Sequence, residues 1–183
     1  GQPAAGEEVM VMRDIALARL TDRHVHIAHI STARSIAAVR AAQKEGLRIT
    51  AEVTPHHLFL TDEAVVGYDT DFKMAPPLRS REDRDAAREG LSDGTITAIA
   101  TDHAPHSVLE KDVEFDQAAN GVVGLETALP LALRLVEEGV LSLSDAVARL
   151  TSGPASVVGL AKGTLTPGSD ADVAVIDPRA EWI

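Results

Sequence analysis

The segment Ala100-Thr101-Asp102-His103-Ala104-Pro105-His106 brings one carboxylate and two imidazoles close together directly after an apolar run at 96–100. That run predicts a buried strand. Polar side chains that follow such a strand lie at its carboxyl end, which is where α/β barrels carry out their chemistry. Aspartate can ligate a metal ion or move a proton, and histidine can do either as well. The segment therefore predicts a functional site at Asp102, with a turn or helix-capping aspartate as the alternative.

The composition narrows the class of protein. The chain has 183 residues, of which 45% are hydrophobic and 3% aromatic, and this suits one α/β domain with an aliphatic core. Its net charge of −11 and the lack of a basic stripe argue against nucleic-acid binding. With no cysteine, disulfides and thiolate ligands are excluded, so any metal ion must be held by histidines and carboxylates. We find no stretch apolar enough to span a membrane and no basic start of a signal peptide, and we expect a cytoplasmic protein.

Hydrophobic periodicity and turn residues predict an alternation of strands and helices. The predicted strands are 24–30, 47–53 and 96–101. The predicted helices are 7–20, 32–44, 80–91, 124–138 and 142–150, with a short one ending at Leu160, and loops are predicted at 58–79 and 103–123. Residues 163–176 are predicted to form a β-hairpin that turns at Pro167-Gly168.

This order of elements predicts an α/β fold with a parallel sheet. Three strands are too few to close a barrel. Because the hairpin breaks the alternation, we divide the chain into 1–160, a barrel-like part, and 161–183, a separate small β element.

Histidines follow the first two predicted strands, as Asp102 follows the third. His29 closes the first strand and is either a metal ligand or a buried structural histidine. Alternation along that strand places His24 and His26 on the opposite face from His29, in structural positions. In the pair His56-His57, an extended backbone would direct the two side chains oppositely, so at most one of them would face a site. Because the carboxyl ends of parallel strands meet at one edge, we expect these polar groups to lie near one another.

Two basic residues flank a proline-rich loop at 74–78. Lys73 and Arg79 could each meet an anionic substrate or lie in a solvated loop, and the residues alone leave both interpretations open.

Together these motifs resemble the dihydroorotases, a family of the amidohydrolase superfamily. The resemblance rests on segments spread over the chain: His29-Ile30-Ser31-Thr32, Ala51-Glu52-Val53-Thr54-Pro55-His56-His57-Leu58, Lys73-Met74-Ala75-Pro76-Pro77-Leu78-Arg79, the Asp102 segment, Glu110-Lys111 and the glycine-rich stretch 121–128. The stretch 163–172 resembles the superfamily's return to a small β-sandwich. The combination is far more specific than any single motif.

The resemblance implies a metal-dependent (β/α)8 TIM barrel of which only the last strands are present, followed by a strand pair of the small β-sandwich. It implies that His29 and Asp102 are metal ligands, that one or two Zn²⁺ ions activate water, and that Asp102 is the general base and acid. His106 and the backbone at Asn120-Gly121 would contact the substrate. His103 and His57 would support the ligands from behind.

The chain departs from the family pattern at two points. Ala75 stands where the family usually has an asparagine that contacts the pyrimidine ring, which implies weaker binding or a different substrate. The family's His-x-His pair, bridging acid or lysine and further ligands would precede Gly1, and the family's last residues would follow Trp182. We therefore expect a C-terminal piece that is inactive alone.

The activity implied for an intact protein is the reversible cyclisation of N-carbamoyl-L-aspartate to dihydroorotate in pyrimidine biosynthesis, with a small molecule as substrate. A dihydropyrimidinase or allantoinase is the near alternative. A noncatalytic scaffold for aspartate transcarbamoylase is the alternative from another class, and the implied partners are that enzyme or a second copy in a homodimer.

Overall fold

The computed structural model describes residues 2–180, in which three parallel strands are interleaved with helices. The strands are β1 (Val25–Ile27), β2 (Ile49–Val53) and β3 (Ala98–Ile99), in the order β1-β2-β3. The helices are α1 (Ala4–Thr21), α2 (Ala33–Lys44), α3 (Pro55–Phe59), α4 (Arg81–Asp93), α5 (Val108–Lys111), α6 (Leu125–Glu137), α7 (Leu143–Leu150) and α8 (Ser152–Val157). Two 3₁₀ turns, Asp62–Val65 and Thr70–Phe72, lie between α3 and α4.

The strand register explains how the site is aligned. His26 pairs with Thr50 and Glu52 pairs with Ala98, so all three strands end at one edge of the sheet. In β2 the apolar residues Ile49, Ala51 and Val53 are buried, while the polar residues between them are half-buried. This alternation places Thr50 and Glu52 on the face opposite the helix-packed core.

The core lies between the sheet and the helices α1, α2, α4, α6 and α7. Its side chains are almost all Ala, Val, Ile and Leu, as the composition predicts. Helix starts follow the sequence signals: Thr32 caps α2, and Ser80 with Asp83 forms a reciprocal capping box at α4. Gly94 ends α4 in the left-handed conformation.

The predicted hairpin at 163–176 is wrong for the described residues. The turn at Pro167-Gly168 forms, with the Ser169 amide donating to the Thr166 carbonyl at 3.0 Å, but no strand is assigned between residues 161 and 180. A hairpin is stable only when its apolar face packs on another layer, and here Leu165 and Val175 are 79% and 96% exposed. Trp182 lies outside the described residues.

The pair His56-His57 also differs from prediction. Pro55 begins α3 instead of simply ending β2, because proline is well suited to the first helical position. The two histidines therefore lie side by side on a helix, with ring centroids 4.7 Å apart, and do not alternate along an extended backbone.

No helix between residues 2 and 180 combines the length and apolar character that crossing a membrane would require.

Candidate active site

His29 and Asp102 come together at the carboxyl edge of the sheet. His29 lies two residues beyond β1 and Asp102 three residues beyond β3, and both have a positive φ, of 52° and 48°. Their side chains are 30% and 28% exposed, and His29 Nε2 lies 3.7 Å from Asp102 Oδ1. The structure thus places the two predicted ligands side by side.

Glu52 belongs to the same cluster, although it was not among the residues predicted for the site. Its Oε1 lies 3.0 Å from His29 Nδ1, and its Oε2 lies 3.0 Å from His26 Nε2. The signal was present in the alternation of β2, where an acid on the face away from the buried residues must point towards the barrel axis. His26, predicted to be structural or to face the helices, instead contacts the same carboxylate as His29.

The backbone conformation at His29 explains why His26 and His29 both reach Glu52. Strict alternation would put His26 and His29 on opposite faces, but β1 ends at Ile27 and His29 adopts a left-handed conformation. This turns the His29 ring back towards Glu52. The Ile30 amide donates to the Glu52 carbonyl at 3.0 Å and fixes the turn.

The electrostatics of the cluster follow from these contacts. Burial alone would raise the pKa of Glu52, but its hydrogen bond with His26 and the neighbouring His29 lower that pKa to about 2. The Glu52 carboxylate raises the pKa of His29, and burial opposes this. Glu52 is therefore an anion over the whole physiological range.

The donor atoms of His29 and Asp102 suit a zinc ion. Zinc bonds of about 2.1 Å place neighbouring tetrahedral ligands roughly 3.4 Å apart, close to the 3.7 Å observed. Within residues 2–180, however, no group of three histidine, aspartate or glutamate side chains has the geometry to hold a metal ion. The described residues fit one side of a zinc site, which requires at least one more protein ligand.

His106 braces the loop that carries Asn120 and Gly121. Its Nε2 lies 2.8 Å from the Asn120 carbonyl oxygen. Gly121 has φ 129°, and a Cβ there would lie 2.5 Å from Ala104 Cβ. Only glycine therefore fits this approach of two loop segments.

Ala75 lines a cavity of 360 Å³ together with Asn120, Lys73 and Phe115. Ala75, which departs from the dihydroorotase pattern, therefore lines the same cavity as Asn120, a predicted substrate contact.

The histidines predicted to support the ligands are fixed by other elements. His57 is buried between Thr54 Oγ1, at 2.7 Å from Nδ1, and the Pro77 carbonyl, at 3.2 Å from Nε2. His103 Nδ1 accepts hydrogen bonds from the amides of Gly124 and Leu125 and so holds the start of α6. Their supporting role remains a prediction.

The two basic residues considered for an anionic substrate already have partners. Lys73 Nζ donates to the carbonyls of Asp116 and Ala118, at 3.0 and 2.6 Å. Arg79 is 9% exposed and lies between Ser31 and Glu7. Both side chains tie loops together.

A parallel sheet with helical connections and a histidine–aspartate pair at its carboxyl edge is typical of part of an α/β barrel. The amidohydrolase family model matches residues 6–182, and the chain belongs to that family.

Solved relatives support the barrel. L-Hydantoinase (dihydropyrimidinase) from Arthrobacter aurescens superposes with a TM-score of 0.87 at 33% identity, over 93% of this chain and 39% of that one. Dihydropyrimidinase from Brevibacillus agri NCHU1002 gives the same TM-score at 26% identity, also over 93% of this chain and 39% of that one. The three strands are thus part of a TIM barrel, as predicted.

Sequence relatives are closer. A dihydroorotase from Anaeromyxobacter dehalogenans (strain 2CP-C) is 61% identical over 184 residues, which is 100% of this chain and 42% of the relative. A dihydroorotase from Syntrophotalea carbinolica is 57% identical over 182 residues, 100% of this chain and 43% of the relative. The chain therefore spans less than half the length of the curated relatives it matches.

Proposed function

We propose that this chain is the C-terminal part of a dihydroorotase, which interconverts N-carbamoyl-L-aspartate and dihydroorotate. The observation that carries the proposal is the approach of His29 Nε2 to Asp102 Oδ1 at the carboxyl edge of the sheet. The identity of 61% to a dihydroorotase over the whole chain supports this substrate. The remaining metal ligands would come from the part of the protein that this chain does not span.

A zinc ion held by His29 and Asp102 with those further ligands would polarise the substrate carbonyl and make water more acidic. His29 would contribute an imidazole nitrogen to this set. Asp102, whose side chain is 28% exposed, would exchange protons with a bound molecule.

Asp102 would serve as the proton carrier in ring opening. It takes a proton from the attacking water while the new C–O bond forms, and returns that proton to the amide nitrogen as the C–N bond breaks. In ring closure the same proton moves the other way. The loop braced by His106 would present the backbone at Asn120-Gly121 to the ring.

The test is turnover of N-carbamoyl-L-aspartate by the full-length protein with zinc, comparing Asp102→Asn with the control Asp22→Asn. Asp22 has φ 51° and a side chain that is 96% exposed, so it matches Asp102 in backbone conformation. We expect Asp102→Asn to lose at least 10²-fold in kcat and Asp22→Asn to keep normal activity. No turnover and no bound zinc in the unmodified protein would favour a noncatalytic scaffold.

A dihydropyrimidinase-type activity is the second candidate, and Ala75 is the observation that favours it. The hydantoinase similarity at 33% identity points the same way. If dihydroorotate is the substrate, Ala75→Asn should lower its KM with little change in kcat, because an amide would face the 360 Å³ cavity. Faster turnover of dihydrouracil or hydantoin than of dihydroorotate by the unmodified protein would select the second candidate.

A further inference from the structure

The Glu52 carboxylate contacts two imidazoles at once, one at each oxygen. Oε2 accepts from His26 Nε2 at 3.0 Å, and Oε1 lies 3.0 Å from His29 Nδ1. The side chain of Glu52 is only 17% exposed. Little of this carboxylate is therefore left for water.

The far side of His26 is fixed as well. Its Nδ1 lies 2.8 Å from Thr50 Oγ1, on the same face of β2 as Glu52. With both ring nitrogens engaged, His26 holds the carboxylate in place. Glu52 is thus a rigid acceptor built on a strand, which positions its partners more precisely than a loop residue would.

His29 meets this acceptor through one nitrogen only. Nδ1 is buried and lies 3.0 Å from Oε1, but it makes no hydrogen bond among the described residues. Nε2 faces Asp102 at the longer distance of 3.7 Å. A neutral imidazole carries one proton, and the nearer, better-buried carboxylate attracts it to Nδ1.

We propose that Glu52 is a positioning residue that holds the proton of His29 on Nδ1 and turns the Nε2 lone pair towards Asp102. This inference rests on the proposed function, because a free Nε2 matters only if it ligates the metal ion. Carboxylates that hold the second nitrogen of a ligand histidine fix both its tautomer and its ring orientation.

The decisive measurement on the unmodified full-length protein is the tautomer of His29. Long-range ¹⁵N–¹H correlation spectra of histidine-labelled protein, metal-free and with zinc, report which nitrogen carries the proton. His29→Gln identifies the signal. At a pH high enough for the metal-free ring to be neutral, we expect the proton on Nδ1 in both forms, and a neutral metal-free ring protonated on Nε2 alone would overturn the proposal.

The second measurement is zinc affinity by chelator competition, comparing Glu52→Gln with Glu45→Gln. Glu45 is an exposed glutamate that pairs with Arg19 at the surface. We expect Glu52→Gln to weaken zinc binding about 10–100-fold and to shift His29 towards the Nε2 tautomer, while Glu45→Gln binds normally. A Glu52→Gln protein that folds and binds zinc within twofold of normal would overturn the proposal.

These outcomes separate this inference from the proposed function. If the unmodified protein binds no zinc, the dihydroorotase proposal fails, and the metal-free tautomer still decides the assignment of Glu52. If Glu52→Gln does not fold, the tautomer of the unmodified protein decides it in the same way.

Discussion

Glu7 should contribute strongly to the stability of this fold, and replacing it tests this prediction. Its carboxylate accepts hydrogen bonds from the amides of Ser31 and Thr32, each at 3.0 Å, and from both hydroxyl groups of these residues. Arg79 Nη2 lies 3.6 Å away. The side chains of Glu7 and Arg79 are only 14% and 9% exposed.

The expected magnitude follows from what each group loses. In Glu7→Ala, two amides of almost fully buried residues lose their acceptor, at about 1–3 kcal/mol each. Arg79 is left as a buried charge without its carboxylate partner, a loss of about 3–5 kcal/mol when a buried pair is broken. Because these losses overlap, we expect Glu7→Ala to lower the free energy of unfolding by about 4 kcal/mol. Arg79→Met should cost less, since Glu7 keeps its four other donors.

Equilibrium urea unfolding of Glu7→Ala, Arg79→Met and the double variant measures this coupling. We expect the double variant to be at least about 1 kcal/mol more stable than the sum of the single changes predicts. Glu8→Ala is the matched control, because Glu8 pairs with the exposed Arg34 and should change stability by less than about 1 kcal/mol. A Glu7→Ala loss below about 1 kcal/mol, or additive single changes, would refute the reasoning.

Two further perturbations test residues of α3 and of the Gly121 loop. Burial lowers the pKa of His56 to about 3. The unfolded chain therefore takes up a proton at this histidine below pH 6.5, while the folded chain does not. The contribution of His56 to stability should be complete above pH 6.5 and should fall by about 1 kcal/mol by pH 5.5. His56→Gln should remove that difference between pH 7.5 and 5.5, and an unchanged pH dependence of urea unfolding would contradict this. Gly121→Ala should destabilise by about 1–3 kcal/mol and raise KM, since its Cβ would lie 2.5 Å from Ala104 Cβ; Gly139→Ala, with φ 73° and nothing within 4 Å, is the control and should leave KM unchanged.

The sequence predicted the barrel part of this fold well because its signals are local. Apolar periodicity located all three strands and most of the helices, and caps such as Ser80 and Gly94 marked where α4 begins and ends. The hairpin at 163–176 failed for the opposite reason. Its alternation describes a strand pair that needs another layer to pack on, and that layer is not among residues 2–180. An alternating sequence pattern does not form strands where no neighbouring layer packs against its apolar face.

Part of the candidate site could also be predicted from local signals, and part could not. His29 and Asp102 could be located because both follow a strand, and strand ends are visible in the sequence. The alternation of β2 shows which face Glu52 occupies, but only the fold shows that this carboxylate lies 3.0 Å from both His26 and His29. The sequence left two interpretations open for Lys73 and Arg79. Only the fold shows that Lys73 already binds carbonyl oxygens and that Arg79 already pairs with Glu7.

The backbone at the predicted ligand His29 links the Glu7 network with the Glu52 cluster. His29 and Asp102 both adopt left-handed conformations without being glycine, which costs of order 1–2 kcal/mol each. Such conformations persist only where the surroundings over-determine them. For His29 the structure shows those surroundings: the Ile30 amide is bonded to the Glu52 carbonyl, and the next two residues are bonded to the Glu7 carboxylate. The network that stabilises the fold and the carboxylate that orients the ring therefore act on the same short turn, so the geometry of His29 depends on both.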